Sequence, residues 1–590
     1  MSASQIRGFR EVWLVDFEFQ APIGAHPTPV CMVAREWLTG TTIRLWKDDL
    51  EGRAYPPFSQ RSDAVYVAYF ASAEFSCHLA LGWPLPANVL DLFVEFRTAT
   101  NGLWLPHGVG ILGALAYFGI PSLPIQTKEE MRALVMGGGP WSSAQEGQIL
   151  DYCESDVIAL EKLLPRMIGM IDVPRALHRG RYMKAVAVME SVGIPIDHEL
   201  FDTLTGEWNS IKLELIREID ARYDIYEGTH FRRSAFERYL VNNDLRWPKL
   251  PTGNLDLKET TFKSMAKIYP ELIPLKNLRN ILAKMRLSRL PVGPDGRNRC
   301  LLSPFRSKTG RNQPSSSRFI FNCPSWQRGL IAPTEGRGLA YLDYAQQEFG
   351  IAAALSNDQR MQDVYRSEDP YVAFAKLANA VPQDATARSH PHERKQFKEC
   401  QLGVQYGMGS ATLAERIGQS RVEAENLLLI HHELFPDYWK WTQAVVDHSY
   451  LTGNIKTVFG WEFLVQDSTS SRTLQNFPMQ ANGAEILRLA CCWLTECGVA
   501  VCAPVHDALL IEAPAGELRE TVSQTRHLME RASAVVLDGF QLRTDAQIIN
   551  YPNRFPISDE AGVWKQINGY LRTNASDCSH RRAPVPLINK

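Results

Sequence analysis

Two aspartates each stand at the end of a short apolar segment, and together they could support phosphoryl-transfer chemistry. Asp343 ends the run LAYLD, and Asp507 lies at the polar tip of VAVCAPVHDALLIEAP. Transfer to a hydroxyl can use two divalent ions about 4 Å apart, one activating the nucleophile and one neutralising the leaving group. Two aspartates on adjacent strands could hold both ions. A lone aspartate at a strand end is more often a turn or capping residue, so this interpretation depends on further residues.

A helical face between these aspartates combines cations with an aromatic ring. Arg394, Lys398, Leu402 and Tyr406 recur every four residues in ERKQFKECQLGVQYG, so they share one side of a predicted helix. Such a face suits a nucleoside triphosphate, with the cations at the β and γ phosphates and the ring against the base. The alternative is a charged surface helix without a ligand.

A second group of acidic residues lies near the N-terminus and in a later helix. Asp16 and Glu18 in LVDFEFQ are two positions apart on a predicted strand, so both side chains leave the same face. Tyr152 and Asp156 in YCESD are four apart on a predicted helix and again share a face. Two carboxylates on one face can share a metal ion, which predicts a second metal site.

These side chains need strands and helices in a definite order. The apolar runs at 12–18 and 65–69 predict two strands, and helical stretches continue to about residue 170, which indicates an α/β unit. The chain changes from strand to helix at Asp343, and two short strands flank Asp507. Helical patterns mark 176–300, 357–435 and 484–497, and the segment 301–335 is rich in loop residues.

Short motifs, in the correct order along the chain, resemble those of family A DNA polymerases, the group that includes bacterial DNA polymerase I and many phage replicases. LDYAQQE resembles motif A, the segment ending in QYG resembles the fingers helix, and PVHDA resembles motif C. SKTGR contains the TGR element, and RTLQNFPMQ follows the pattern R-x3-N-x3-Q. RYMKAVAVMESVGIPID resembles the stretch leading from exonuclease to thumb. The matching residues are Thr309, Gly310, Arg311, Leu342, Asp343, Tyr344, Gln346, Glu348, Arg394, Lys398, Tyr406, Gly407, Arg472, Asn476, Gln480, His506 and Asp507.

The resemblance implies a role for most of these residues. Asp343, Tyr344 and Asp507 would bind metal, and Asp343, Asp507 and Lys398 would take part in catalysis. Glu348 would be the steric gate that excludes a ribose 2′-hydroxyl. The nucleotide would be bound by Gln346, Glu348, Arg394, Lys398 and Tyr406. The DNA would be bound by Arg311, Arg472, Asn476, Gln480 and His506, of which those in the minor groove test base-pair shape without reading sequence.

Two positions depart from the family pattern. Ala508 stands where motif C usually has glutamate, which leaves Asp343 and Asp507 as the strong carboxylate ligands. We expect activity to survive this change. Leu402 replaces the usual Phe or Tyr of the fingers helix and removes a ring that packs on the incoming sugar, so discrimination against altered sugars is an open property of this chain.

The N-terminal motifs resemble a DEDD exonuclease in its tyrosine form. By that resemblance Asp16, Glu18 and Asp156 bind metal, and Tyr152 is catalytic because it positions the attacking water. Glu74 occupies the place of the aspartate in the middle motif, and Phe70 stands where the family often has asparagine. We expect an active 3′-5′ exonuclease with Glu74 as a metal ligand; the alternative is a retained fold with weakened or lost proofreading.

The implied fold is a multidomain combination of α/β and α+β units. A ribonuclease H-like exonuclease is followed by a right-hand polymerase with thumb, palm and fingers. We predict the following divisions: 1–172 exonuclease, 173–335 thumb and start of palm, 336–356 palm with motif A, 357–435 fingers, 436–572 palm with motif C, and 573–590 a flexible tail.

The implied function is template-directed DNA synthesis by two-metal transfer of a nucleotide to a primer 3′-hydroxyl, with proofreading. Each active site would use two Mg²⁺ ions, for which Mn²⁺ could substitute. The partners would be primer-template DNA and deoxynucleoside triphosphates, with other replication proteins as candidates. One alternative is a single-subunit RNA polymerase, which Glu348 and the exonuclease disfavour. A DNA-binding protein on a degenerate polymerase scaffold is the other, and it should lack both palm aspartates.

Composition sets outer limits on these interpretations. The 590 residues allow several domains, and a net charge of −2 gives by itself no support to nucleic-acid binding. We find no apolar run of membrane-spanning length and no secretory signal, and the eleven cysteines lack CxxC spacing. We therefore expect a monomer in the cytoplasm, the host cytoplasm if a phage encodes it. The first strand follows the N-terminus closely, so we expect no 5′ nuclease and a phage or prophage type of layout.

Overall fold

The computed structural model describes residues 6, 8–121, 125–285, 290–557 and 562–574. Within this part of the chain, α/β and α+β units follow one another, and the predicted multidomain fold class is confirmed. None of the described helices combines the length and apolarity needed to cross a bilayer.

The N-terminal unit is built on a five-stranded mixed sheet. Its strand order is β3-β2-β1-β4-β5, with β1 antiparallel to β2 and parallel to β4. The sheet is buried on both faces, which explains why β1 is almost continuously apolar apart from its acidic end. Its elements are β1 (Glu11–Gln20), β2 (Thr28–Glu36), β3 (Thr42–Trp46), α1 (Lys47–Glu51), β4 (Ala64–Ala68), α2 (Ala71–Ala80), β5 (Asn88–Asp91), α3 (Leu92–Thr100), α4 (Ile111–Tyr117), α5 (Ile125–Gly137) and α6 (Ser143–Met167).

A long helix, α7 (Val173–Val192), joins this unit to the rest of the molecule. The Arg179 guanidinium donates to both carboxylate oxygens of Glu95 at 2.7 and 2.6 Å, and both side chains are buried. Arg179 also donates to the Phe459 carbonyl oxygen at 3.3 Å. A Cβ at Gly180 would come within 2.0 Å of the Val89 carbonyl oxygen. The α7 backbone therefore lies directly against β5.

A helical region follows α7 and ends in a small core of its own. Phe236, Phe262, Leu272 and their neighbours form a hydrophobic cluster separate from the main core. The cluster lies within residues 173–335, for which the thumb assignment stays a prediction. The elements are β6 (Ile194–Pro195), α8 (His198–Gly206), α9 (Trp208–Asp220), β7 (Tyr226–Glu227), β8 (His230–Phe231), α10 (Arg233–Asn242), α11 (Glu259–Ile268), α12 (Ile273–Lys284) and β9 (Arg297–Asn298).

The C-terminal half combines a four-stranded antiparallel sheet with a group of helices inserted after its first strand. The sheet order is β13-β14-β10-β15. The elements are β10 (Arg337–Tyr344), α13 (Gln347–Ser356), α14 (Gln359–Arg366), α15 (Pro370–Leu377), α16 (Pro391–Gln405), α17 (Ser410–Ile417), α18 (Arg421–Leu434), α19 (Pro436–Thr452), β11 (Asn454–Lys456), β12 (Glu462–Leu464), α20 (Ser471–Glu496), β13 (Ala500–Val505), β14 (Ala508–Pro514), α21 (Leu518–Val536), β15 (Thr544–Asn550) and α22 (Val563–Asn574).

Several elements differ from the sequence-based expectations. The N-terminal prediction of two strands omitted β2, β3 and β5. The apolar helix predicted at 484–497 is the second half of the much longer α20. Of the segment 573–590, predicted as a flexible tail, residues 573 and 574 end α22 and the others lie outside the described residues.

Candidate functional site

The four-stranded sheet brings the two distant aspartates together. Asp343 is the penultimate residue of β10, and Asp507 lies in the turn between β13 and β14. The Tyr344 N–H donates to the Asp507 carbonyl oxygen at 3.3 Å. In the antiparallel register Asp343 stands opposite Ala508 on one side and Asp545 on the other. Directly opposed residues present their side chains on the same face, so Asp545 adds a third carboxylate that the motifs did not predict.

Asp343 is a partly buried carboxyl group with other carboxyl groups nearby. Burial raises the pKa of Asp343 to about 7, and the charges of Asp507 and Asp545 contribute to the rise. The Asp507 carboxyl group therefore lies close enough to Asp343 to influence its ionisation. Among the described residues, no donor reaches the buried Asp343 Oδ1. A buried acidic oxygen without a donor beside a second carboxylate fits a divalent cation.

Two other motif A residues take different positions. The Tyr344 side chain is buried, and its hydroxyl donates to the Met529 carbonyl oxygen at 2.6 Å. Any metal contact from Tyr344 would therefore come from its main-chain carbonyl group. Gln346 has φ 46° and precedes α13, and no described residue bonds its buried Oε1.

Residues from four separate segments meet at Glu348. The Arg311 guanidinium donates to Glu348 Oε1 at 3.2 Å. The Tyr406 hydroxyl lies close enough to Glu348 and Gln480 for both side chains to shift its pKa. Burial raises the pKa of Tyr406 to about 12, with Glu348 as the next cause. Motif A, the TGR element, the fingers helix and the R-x3-N-x3-Q pattern thus converge.

The cationic face of α16 is already partly engaged. Arg394 Nε donates to Asp369 Oδ2 at 2.5 Å, and its guanidinium lies 5.5 Å from the centre of the Tyr371 ring. Lys398 and Leu402 are half-buried further along the same face. An anion bound by this face would compete with Asp369 for Arg394.

The start of α20 carries the residues predicted to handle the template. Arg472, Asn476 and Gln480 share one exposed or half-buried face, and the Asn476 amide donates to the Arg472 carbonyl oxygen at 3.0 Å. Gly407 has φ 61°, and a Cβ there would lie 2.8 Å from Arg472 Cγ. The end of the fingers helix therefore packs closely against Arg472.

A buried arginine forms a hydrogen bond with the backbone of the TGR element. Arg488 donates to the Gly310 carbonyl oxygen at 2.7 Å and pairs with Glu485. A Cβ at Gly310, which has φ 72°, would lie 3.1 Å from the Trp461 ring. A cavity of about 200 Å³ is lined by Arg311, Arg488 and His506. Arg311 and His506 therefore lie on the same concave surface.

The N-terminal unit contains a compact acidic cluster. One ligand oxygen each from Asp16, Glu18 and Asp156 lies within 4.8 Å of the others. The first two come from β1 and the third from α6. Burial raises the pKa of Asp16 well above its usual range, and Asp156 and Glu18 raise it further. This arrangement could hold a metal ion.

The two unusual residues of the middle motif lie beside this cluster. Glu74 Oε2 accepts a hydrogen bond from the Phe17 N–H at 2.8 Å, and burial followed by the charge of Asp16 raises the Glu74 pKa. Phe70 has φ 75° and immediately precedes α2, where its N–H donates to Asp91 Oδ1 at 3.1 Å. Glu74 is close enough to influence the cluster but has one oxygen bound by the backbone.

A lysine that the motifs did not predict completes the cluster. Lys128, on α5, forms an ion pair with Asp156 and lies 5.6 Å from the centre of the Tyr152 ring. Burial raises the pKa of Asp156, and Lys128 opposes that rise. The pKa of Tyr152 is raised by burial and then by Glu18. In sequence, the segment KEEMR has the pattern of an ordinary charged helix, so it gave no signal for this role.

Comparison with known proteins agrees with the polymerase geometry. Residues 317–548 match the family model described as DNA polymerase family A. Over these residues the chain is similar to DNA polymerase family A. The matched segment includes Asp343, the α16 face, α20 and Asp507. It ends within β15, so the sheet that carries the acidic residues lies inside the match.

Similar proteins extend the family A likeness over more of the chain. The thermostable DNA polymerase I of Thermus thermophilus is 26% identical over 382 residues, which are 59% of this chain and 45% of the relative. DNA polymerase I of Aquifex aeolicus is 23% identical over 439 residues, which are 68% of this chain and 75% of the relative. The chain spans about half the length of the Thermus relatives that it matches.

A solved structure shares the overall fold. The POL domain of Pol1 from M. smegmatis, in complex with DNA primer-template and dNTP, superposes with a TM-score of 0.67 at 18% identity. The match covers 91% of this chain and 95% of that one. The predicted multidomain fold class is therefore confirmed across nearly the whole chain.

Proposed function

We propose that the chain catalyses template-directed DNA synthesis and also removes nucleotides from DNA 3′ ends. The observation that carries the first activity is the convergence of Asp343 and Asp507 beside the contacts joining Arg311, Glu348 and Tyr406. Packing alone gives no reason to place two half-buried carboxyl groups close together, because their mutual repulsion costs free energy when no cation is bound.

Asp343 and Asp507 would hold two Mg²⁺ ions, with the Tyr344 carbonyl group as a further ligand. At this site the ions would supply activation of the primer 3′-hydroxyl and neutralisation of the departing pyrophosphate. Lys398 and Arg394 bind the triphosphate, and Arg394 exchanges Asp369 for phosphate when a nucleotide enters. By aligning the triphosphate with the primer end, Lys398 and Arg394 would make the reaction effectively unimolecular.

The nucleotide is selected by the residues around Glu348. Tyr406 contacts the base, and Gln346 lies where the nucleotide would enter. The Glu348 side chain, held by Arg311 and Tyr406, occupies the space that a ribose 2′-hydroxyl would need. This position favours deoxynucleoside triphosphates over ribonucleotides and disfavours the RNA polymerase alternative.

The DNA duplex would contact the concave surface between the TGR element and α20. Arg311, Arg472, Asn476, Gln480 and His506 bind primer and template there. Minor-groove acceptors are present on every correct base pair, so these donors check pair geometry in any sequence. The presence of DNA primer-template and dNTP in the M. smegmatis complex supports the same partners here.

The exonuclease would use the N-terminal acidic cluster. Asp16, Glu18 and Asp156, with Glu74 alongside, would hold the divalent ions, and Mn²⁺ could replace Mg²⁺ in either site. Tyr152 orients the attacking water from its place beside Asp156. We infer a monomer that acts with other replication proteins in phage-type replication and proofreads its own product.

Paired substitutions test both activities in one protein. Asp343→Asn or Asp507→Asn should reduce primer extension by at least about a thousandfold, because each removes a ligand from the metal site. Digestion of a single-stranded 3′ end should remain unchanged. The double variant Asp16→Ala, Glu18→Ala should give the reverse result. Extension that persists in either palm variant would exclude the proposed polymerase site.

The exonuclease half has its own decisive comparison. If the wild type digests 3′ ends and the Asp16→Ala, Glu18→Ala variant does so at the same rate, another site is responsible for the digestion. Extension with ribonucleotides in place of deoxynucleotides measures the gate, and we expect Glu348→Ala to raise ribonucleotide incorporation while Asp343 variants abolish all synthesis.

A further inference from the structure

Lys128 is buried within the exonuclease cluster, although the proposed mechanism does not use it. Its side chain is 15% exposed, and its partner Asp156 is 13% exposed. The ammonium group is bound to one of the two Asp156 oxygens and lies near the face of the Tyr152 ring. It thus contacts one proposed metal ligand and the residue that orients the water.

Lys128 lies in a site with a large negative charge. Asp16, Glu18 and Asp156 converge within a few ångströms, with Glu74 beside them. A lysine bound there reduces their mutual repulsion in the absence of metal. A divalent ion on Asp156 would repel the ammonium group, because both cations approach the same carboxylate.

The lysine side chain can respond to that repulsion. It is a compact charge on a flexible four-carbon stem, so it can leave Asp156 without movement of α5. The scissile phosphate of a bound DNA strand would be the new anion within reach, because the water held by Tyr152 must lie against that phosphate. Lys128 would then exchange a carboxylate for a phosphate oxygen.

We propose that Lys128 is a further catalytic residue of the exonuclease: it pairs with Asp156 in the free site and contacts the scissile phosphate in the DNA complex. The proposal rests on the proposed 3′-5′ exonuclease function. In hydrolysis the water oxygen forms a bond to phosphorus and the bond from phosphorus to the 3′-oxygen breaks. The proton of the water passes to solvent, and the 3′-oxygen takes up a proton from solvent. Lys128 keeps its proton and stabilises the added negative charge on the phosphate.

This role differs measurably from a structural ion pair that fixes α5 to α6. A structural pair supports the Asp156 geometry, so its loss should weaken both metal binding and digestion. A cation that competes with metal and then contacts phosphate has opposite effects on the two quantities. Lys128→Ala should bind metal more tightly and digest DNA more slowly.

The test compares Lys128→Ala and Lys128→Arg with Lys162→Ala, which removes an exposed lysine from α6. Single-turnover digestion of a single-stranded 3′ end should fall about a hundredfold in Lys128→Ala, recover partly in Lys128→Arg and stay at the wild-type rate in Lys162→Ala. Primer extension by the three proteins should match the wild type, which shows that they are folded.

Metal binding is measured separately by electron paramagnetic resonance with Mn²⁺. An Asp507→Asn background limits the contribution of the palm. Lys128→Ala should bind Mn²⁺ about tenfold more tightly than the same background with Lys128, because one competing charge is absent. Weaker or unchanged Mn²⁺ binding would overturn the proposal, and so would digestion by Lys128→Ala at the rate of Lys162→Ala.

Failure of the exonuclease assignment gives a different result. A wild-type chain that digests no 3′ end overturns that assignment together with the role of Lys128. Wild-type digestion that is lost in Asp16→Ala, Glu18→Ala but kept in Lys128→Ala leaves the assignment intact and overturns the role of Lys128 alone.

Discussion

The exonuclease cluster and the palm carboxylates meet their charge in different ways. Asp16, Glu18 and Asp156 share their site with Lys128, which is already in contact with Asp156. Asp343 and Asp507 face one another, and the Arg394 that we expect near the triphosphate is bound to Asp369. The N-terminal cluster already contacts the Lys128 ammonium group, whereas the palm site would gain its cations when nucleotide and metal bind.

This difference agrees with the task that we propose for each site. The proposed hydrolysis would act on whichever 3′ end enters, so a cation can already be present in the site before DNA binds. Synthesis must distinguish four nucleotides, and a site that is complete only after α16 engages its ligand can reject a wrong one before reaction. The comparison teaches that the position of the cations, and not the number of acidic residues, separates the two activities.

The largest expected effect outside the acidic residues concerns Lys398. Lys398→Ala should lower kcat/KM for deoxynucleotides about a hundredfold, because one charge on the triphosphate is lost. Exonuclease activity should not change. Lys395→Ala, which removes an exposed lysine from the same helix, is the matched control. Equal effects of the two substitutions in steady-state extension would show that α16 contributes general charge and no specific phosphate contact.

A smaller effect is expected at Asp545. Asp545 is exposed and lies across from Asp343, so it can support metal binding on the side away from Ala508. Asp545→Asn should reduce extension severalfold and raise the Mg²⁺ concentration needed for half-maximal rate, since one negative charge near the ions is removed. Gln547, also exposed on β15, provides the control Gln547→Ala. An unchanged Mg²⁺ requirement would leave Asp343 and Asp507 as the complete acidic set.

The smallest effect is on stability. The unfolded Asp343 carboxyl group has a pKa near 3.8, whereas the folded group has a pKa of about 7. Between these values the folded state binds more protons, so its stability falls as the pH rises from about 4 to 7. In EDTA, Asp343→Asn should therefore raise Tm by about 1–3 °C at pH 8 and leave it unchanged near pH 4.

Calorimetry at the two pH values measures this difference. An equal change in Tm at both would mean that ionisation of Asp343 does not destabilise the metal-free palm. Addition of Mg²⁺ at pH 8 should stabilise the wild type more than Asp343→Asn, because metal binding favours the folded state of the protein that keeps its ligand.

The sequence was most informative where the chemistry depends on short local spacing. The strands ending at Asp343 and flanking Asp507, the α16 helix and the fold class agree with the structure because their periodicity is local. β2 and β3 were missed because strands of this length near loops give short apolar runs, and α20 was underestimated because polar residues interrupt its first half.

The positions that sequence reasoning could not supply depend on long-range contacts. Asp545 meets Asp343 through β-sheet register, and Lys128 meets Asp156 through the packing of α5 against α6. Neither pairing leaves a pattern in nearby residues. The engagement of Arg394 by Asp369 is likewise invisible in the helical spacing that placed Arg394 beside Lys398.

The close approach of Gly180 to the Val89 carbonyl, with the buried Arg179–Glu95 pair beside it, has a consequence for error correction. Because a side chain at position 180 would collide with β5, we expect α7 and the N-terminal unit to move as one. If both proposed activities are present, the growing strand would then have to pass between two separate centres. A mispaired terminus unpairs at lower cost than a correct one. Melting of the last base pairs would then determine which 3′ ends reach the N-terminal acidic cluster. Fidelity would depend on how readily the duplex end melts as well as on the chemistry at the two sites.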